Sequence, residues 1–192
     1  IVVDSITPYD DRTVDVYMRI EEGDKYYVRD ITWVGNTIYL SDYLSAKLRM
    51  KKGDVYNQKL LNERLSSDDD AIGNEYYNQG YVFYQLDPVE VNIDGDSIDL
   101  EMRIMEGPQA TLNRVTINGN DRLYENVVRR ELRTKPGDLF NKDAIERSYR
   151  EIAQMGHFNP ENINPDIQPK GDNGTVDNNW ILQPKANDQV ES

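Results

Sequence analysis

The chain has 192 residues, enough for one large domain or two modest ones, with 38% hydrophobic and 30% charged side chains. Its 22 basic and 35 acidic residues leave a formal charge of −13. This argues against nucleic acid, whose phosphate backbone needs a basic face, and against direct docking on an anionic lipid surface. Cysteine is absent, which removes disulfides, zinc thiolates and cysteine nucleophiles together and suits an oxidising compartment such as the bacterial periplasm.

No stretch approaches the roughly 20 apolar residues needed to span a bilayer. No basic-then-apolar leader opens the chain either. Ile1-Val2-Val3 reads as the interior of a pattern, so a fragment of a longer chain is expected. Val14, Val16, Met18 and Ile20 alternate with polar residues as a half-buried strand does, and Glu22-Gly23-Asp24 reads as a linker.

Val28, Ile31 and Trp33 then form a β-rich run that stops at Gly35-Asn36, a turn pair. Leu40, Tyr43, Leu44 and Leu48 follow at three- and four-residue spacing, one apolar face of a helix. Next comes MKKGDVYN, residues 50–57. Asn57 is a good N-cap, and Tyr56 before it and Leu61 four residues after it have the spacing of a hydrophobic staple. The phrase is therefore expected to turn a helix-to-helix corner, with Gly53 supplying the turn. A phosphate loop would need other glycine spacing and a Lys-Ser/Thr ending. A second helix through Leu61, Leu65, Ile72 and Tyr76 closes on Gly80, with Asp68-Asp69-Asp70 as its solvated face. Val82–Val91 (VFYQLDPVEV) reads as a strand, Asp94-Gly95 as a hairpin turn, and Ile98, Leu100, Met102 and Ile104 as the inward face of a last strand. Glu106, Gly107 and Pro108 form the next linker, stiffened by the proline.

From there the chain repeats itself. ITWVGN returns as VTINGN, YLSAKLRMKKGD as VVRRELRTKPGD and VDVYMRIEEG as IDLEMRIMEG, all 84 positions later. Several echoes at one offset mean a structural repeat. In the second copy Tyr124, Val127, Val128 and Leu132 repeat the first helical face, and Phe140, Asn141 and Ile145 repeat staple and cap. The second helix, through Ile145, Tyr149 and Ile152 to Gly156, is 8 residues shorter, close to two helical turns, so its apolar face is expected to stay in phase. Its last strand, Val176, Asn178, Trp180 and Leu182, alternates less cleanly, because Asn178 stands where an apolar residue belongs. The expected organisation is the closing hairpin of an earlier repeat at 1–22, one repeat at 23–106 and another at 107–192.

No catalytic constellation emerges. The single histidine, His157, sits beside a helix-ending glycine, where a capping or core role is expected. No serine or cysteine has a nucleophile context. The run NIDGDSID, residues 92–99, resembles a calcium loop, but its twelfth position is Arg103 where glutamate is required. No enzyme activity, cofactor or metal is expected.

A strand ending in V-G-N, a K-x-G-D-x-[YF]-N corner, a helix closing on G-Y or G-H-F and a final strand closing in E-G together resemble the POTRA family, in the tandem form found in outer-membrane β-barrel assembly proteins. The resemblance covers nearly the whole chain. The copy with NQGYVF and IMEG is similar to a penultimate repeat, and the copy with MGHF to the last one before a barrel. His157 and the proline-rich strand after it depart from the family pattern. The resemblance implies an α+β fold of tandem β-α-α-β-β repeats, each a three-stranded mixed sheet covered by two helices. It also implies a place at the periplasmic face of a Gram-negative outer membrane. The implied partners are unfolded outer-membrane proteins, accessory assembly lipoproteins and the protein's own C-terminal β-barrel.

Such a sheet leaves an edge whose unpaired backbone can accept another strand. The expected client edge comprises Val82, Phe83, Tyr84, Gln85, Leu86, Val89 and Val91, interrupted only by Pro88. The matching stretch of the second copy contains Pro160, Pro165 and Pro169, which remove donors. Two other readings compete: the arm of a two-partner secretion transporter or a static periplasmic scaffold, and an unrelated α+β enzyme or binding module with an internal duplication.

Overall fold

The computed structural model describes residues 25–119, 122–170 and 174–185. The strand pattern at 14–20 and the rest of 1–22 lie outside the described residues. The first unit runs β1 (Tyr27–Val34), α1 (Ser41–Leu48), α2 (Gln58–Asn62), α3 (Ile72–Tyr77), β2 (Gln85–Asp94) and β3 (Ser97–Met105). The second runs β4 (Thr111–Asn118), α4 (Arg122–Glu131), α5 (Lys142–Gln154), β5 (Asn164–Lys170) and β6 (Thr175–Ile181). Each unit builds one mixed three-stranded sheet, ordered β1-β3-β2 and β4-β6-β5. The last strand is inserted in the middle, parallel to the first and antiparallel to its hairpin partner. The fold is α+β, as expected.

A central strand has neighbours on both sides and helices over one face, so its side chains must alternate strictly. In β3, Ile98, Leu100, Met102 and Ile104 are buried while Asp99, Glu101 and Arg103 face the other way. They pack on Leu44 and Leu48 of α1, Leu61 of α2, Leu65, and Ile72 and Tyr76 of α3. In β6 the inward face is Val176, Asn178 and Trp180, all fully buried. Trp180 occupies the place of Met102, and the smaller Asn178 beside it the place of Leu100, so a small and a large side chain replace two medium ones. The cost is polar: the Asn178 amide donates to the Asp166 carbonyl at 3.4 Å, while its oxygen and the Trp180 N–H are buried without partners.

The repeated corner does more than its sequence suggests. Asn57 and Asn141 cap as expected, accepting from the Leu60 and Ala144 amides at 3.1 and 3.0 Å. The Gly-Asp preceding each cap also adds a short stretch of strand to the outer edge of the sheet. Gly53 N–H donates to the Val28 carbonyl (2.7 Å), Val28 N–H to Asp54 (2.9 Å) and Tyr56 N–H to Tyr26 (2.7 Å). Gly137, Leu112, Asp138, Phe140 and Ala110 repeat the pattern at 2.8–2.9 Å. The aspartate carboxylate closes its own turn, accepting from Lys51 N–H in one unit and Lys135 N–H in the other. The start of β1 and of β4 is thus covered by the chain's own corner.

The second helix of the first unit departs from the expected continuous rod. After α2 the chain makes a π-helical turn, Glu63–Ser67, breaks at Asp68, whose backbone is extended, and restarts as α3. The extra residues form a turn in place of two helical turns, and Asp68-Asp69-Asp70 lies in that break and not on a helix face. The nearly buried Arg64 holds the break: it donates to Asp68 at 3.0 Å, to Asp70 at 2.6 Å and to the Lys47 carbonyl. Asn74 adds bonds to the carbonyls of Asp68 and Asp69. In the second unit α5 is unbroken over 13 residues.

The V-G-N and I-N-G-N strand ends have a steric cause. Gly35 has φ +91°, and a Cβ there would sit 2.0 Å from the Ile104 carbonyl oxygen; at Gly119 it would sit 2.2 Å from that of Leu182. Gly53 has an equally positive φ but open space around it. Gly53→Ala should therefore cost about 1–2 kcal/mol of backbone strain alone, and Gly35→Ala at least about twice that, because a backbone carbonyl must also move. Urea unfolding midpoints of the two variants check this, and equal losses would refute the close-approach account.

Candidate functional site

β2 lies at an edge of the first sheet, as the sequence suggests, but it runs Gln85–Asp94, so only part of the expected client edge lies on it. Gln85, Leu86, Val89 and Val91 belong to the strand. Tyr84 precedes it and is buried in the first core, stacked on Tyr76 at 4.3 Å. Val82 and Phe83 form a turn and pack against the core of the second unit. The apolar character of VFY, read as strand, is thus spent on two cores. Val91 is the extra residue of a bulge, since pairing steps from Glu90–Leu100 to Asn92–Asp99.

Proline fixes which backbone groups remain open. It carries no N–H, so the ladder to β3 runs through the neighbours of Pro88, leaving Leu86, Pro88 and Glu90 directed outward. Two of those three keep a donor. In β5 the outward positions are Pro165, Ile167 and Pro169, of which only Ile167 keeps one. Beside β2 a groove of about 570 Å³ opens against α2, with Tyr56 and Leu61 on one wall and Pro88, Val89 and Glu90 on the other. Burial, with the Glu90 carboxylate beside it, pushes the Tyr56 phenol up to about 12. Gln58 also reaches Glu90, at 3.5 Å. The groove therefore offers an extended peptide open amides, carbonyls and two carboxylates, those of Asp87 and Glu90.

The second feature is the junction between units. The expected linker, Glu106, Gly107 and Pro108, is accompanied by contacts between the end of the first unit and the start of the second. Ala110 N–H donates to the Gly80 carbonyl at 2.8 Å, and the Gln109 amide to Gln79 at 2.9 Å. Lys142 Nζ donates to Asn74 Oδ1 at 2.7 Å and lies 5.7 Å from the Tyr77 ring centre. Asn78 Oδ1 accepts from Asp143 N–H at 2.9 Å. That amide is one of the unpaired donors of α5's first turn, so α5 is capped twice, by its own Asn141 and by a residue of the preceding unit. A Cβ on Gly80 would come within 2.7 Å of Leu139. The corner TKPGDLFN is thus also the seat for the end of the earlier unit. Nothing local marks Asn78 for this task, because its partner lies 65 positions away.

Glu106 anchors the linker from the other side. Its carboxylate accepts from Thr37 N–H (3.0 Å), Thr37 Oγ1 (2.6 Å), Ile38 N–H (3.1 Å) and the Tyr76 hydroxyl (2.7 Å). Burial raises its pKa, but the bonds from Thr37, Ile38 and Tyr76 together outweigh this and hold it below the ordinary value of 4.5. The corresponding positions in the second unit hold Pro184 and Ile152, neither of which can make such bonds. His157 pairs through its backbone, accepting from Lys185 N–H at 3.1 Å. Among the described residues no cluster of His, Asp and Glu has metal-site geometry, and no helix is long and apolar enough to cross a membrane.

Fold and junction together define a tandem-repeat protein of β-α-α-β-β units seated end to end. The sequence profile of the POTRA family, described as surface antigen variable number repeat, matches residues 26–107 and 110–182. The chain belongs to this family. The outer membrane protein assembly factor BamA of Nitratidesulfovibrio vulgaris is 24% identical over 151 residues, covering 78% of this chain and 19% of its own length. That of Neorickettsia risticii is 25% identical over 182 residues, covering 90% of this chain and 24% of its own. The chain thus spans about a fifth of the length of the curated relatives it matches. The crystal structure of POTRA domains 3–5 of Haemophilus influenzae BamA has the same fold, with a TM-score of 0.70 at 20% identity over 82% of this chain and 61% of that one.

Two outcomes follow from the junction. Asn78→Ala with Lys142→Ala removes the two side-chain bonds at the start of α5, leaves that of Gln109 to Gln79, and should cost about 1–2 kcal/mol. Small-angle scattering should then change from one shape to a spread of inter-unit angles; an unchanged profile would show that these bonds do not set the angle. Glu106, with its pKa depressed in the folded state, stabilises above the ordinary carboxylate range, and this is lost as pH falls from 4.5 through its lower folded value. Glu106→Gln should be less stable at neutral pH and lose less on acidification, as thermal melts between pH 7 and pH 3 would record.

Proposed function

We propose that the chain is part of the periplasmic arm of an outer-membrane protein assembly factor, and that β2 receives strands of unfolded outer-membrane proteins by edge pairing. The observation that carries this reading is the asymmetry between edges. Around its single proline β2 keeps the outward donors of Leu86 and Glu90 beside an open groove, β5 keeps one between two prolines, and the starts of β1 and β4 are covered by their own corners. Backbone pairing is indifferent to most of the partner's side chains, which suits a receiver of many clients. On this reading the second unit orients and connects, the protein's own C-terminal barrel takes over the client, and accessory lipoproteins dock on the arm. The arm itself is a non-catalytic scaffold.

The surface at the start of the first unit supports an arm that continues toward the N-terminus. Tyr26 is exposed where its counterpart Ala110, fully buried, receives the preceding unit. The Lys59 amide, counterpart of Asp143, has no second cap among the described residues. A further repeat would seat there in the same way.

The client reading is tested by NMR of the labelled chain titrated with a synthetic peptide of alternating apolar and polar residues. Shifts should cluster at 86–93 and in the groove residues Tyr56 and Leu61. Shifts confined to 164–170 would overturn the assignment of the edge.

A further inference from the structure

On the opposite edge of the first sheet, a hollow of about 620 Å³ opens between β1 and α1. Ile31, Ala46 and Met50 give it an apolar lining, and Arg49, Lys51 and Lys52 stand around it. Three cations within four positions are unusual on a chain of charge −13. They are only partly neutralised. Arg49 pairs with Asp70 at 2.8 Å while remaining 66% exposed, and Lys52 lies 3.7 Å from Asp30 with 75% of its side chain exposed. Lys51 has no ion pair among the described residues.

Two observations separate this hollow from a routine consequence of the fold. The first is backbone strain. Arg49 caps α1 in the left-handed region, φ 61° and ψ 19°, and among the described residues no other non-glycine has a positive φ. Glycine or asparagine ordinarily takes that place. A strained residue held at a surface hollow points toward use. The second is the other repeat, where the same place is filled. Arg129, counterpart of Ser45, lays its guanidinium over the strand and donates to the Val115 carbonyl, counterpart of Ile31, at 3.2 Å. Arg133, counterpart of Arg49, lacks the positive φ and pairs with Glu151 at 3.4 Å. In the first unit Ser45 is too short to cover the strand, and its hydroxyl accepts from the Trp33 indole at 2.8 Å.

We propose that this hollow is a docking site for an acidic protein segment that inserts one aliphatic or aromatic side chain over Ile31, Ala46 and Met50 and sets flanking carboxylates against Arg49, Lys51 and Lys52. Charge complementarity selects this occupant, and the apolar lining explains why a bare anion would not fill it. An anionic membrane is disfavoured because the remainder of the chain is strongly acidic and would be repelled. The site is independent of the β2 edge, so failure of either reading leaves the other standing.

The test uses the full 192-residue chain, isotopically labelled, with a fluorescent peptide of sequence Gly-Asp-Glu-Leu-Phe-Asp-Glu-Gly. Its counterpart has every acidic residue replaced by lysine. The acidic peptide should shift the amides of Ile31, Ala46, Arg49 and Lys51, leave those of β2 unmoved and bind more weakly as salt is raised. Lys51→Gln with Lys52→Gln should weaken binding about fivefold, the contribution of two exposed charge pairs. Ala46→Glu, which occupies the hollow and reverses its charge, should abolish it, with unchanged melting of both variants showing that they fold. The proposal is overturned if the acidic peptide does not bind, if the lysine peptide binds as well, or if the variants have no effect. Lysine-dependent binding to phosphatidylglycerol vesicles in place of the peptide would overturn it as well.

Discussion

Each unit depends on one constraint: its last strand must lie in the middle of its sheet. Only β3 and β6 touch both neighbours, so they alone need an unbroken inward face, and the cores are assembled on them. The first strand must then end close beneath the carbonyl of Ile104 or Leu182, where no Cβ fits. The remaining two strands become edges, and the molecule treats them differently. The Gly-Asp corner covers the start of β1 and β4, while β2 and β5 are tempered by proline to different degrees.

The two repeats share this frame and diverge where it meets a neighbour. The first unit ties the exit of β3 to its third helix through Glu106 and Tyr76, a charged acceptor with four donors. The second unit has proline and isoleucine at those places. A carboxylate fully supplied with hydrogen bonds fixes direction as well as position, since each bond has a preferred angle. An apolar contact fixes only distance. In the first unit this directional anchor lies at the linker to the second unit.

The junction shows a single segment serving several masters. The corner TKPGDLFN covers the start of β4, caps α5 and receives Gly80 and Asn78 of the preceding unit. Its counterpart in the first unit performs the first two tasks and has its outer surface exposed. A recurring phrase under three separate demands varies little, which is why the repeat is so visible there and so faint in the strands β2 and β5, whose tasks differ.

Much of the fold was legible because it is local. Alternation at Ile98–Ile104 marks a strand buried on one face, four-residue spacing of Leu44 and Leu48 marks a helix although Leu40 and Tyr43 of the expected face are exposed, and Asn57 and Asn141 cap helices by bonds to amides three residues away. The 84-residue offset then carried the reading from one unit to the other. The repeat, the α+β class and the helix caps are written in the sequence alone, because they follow from backbone geometry and short-range periodicity. Tertiary structure alone decided that VFY feeds two cores before the strand begins, that Arg64 breaks the second helix at Asp68, that Asn178 is buried beside Trp180, and that Asn78 caps a helix of the next unit. In each case the deciding partner is distant in sequence or lies in another element, and no local pattern encodes a contact whose strength depends on where a second segment comes to rest.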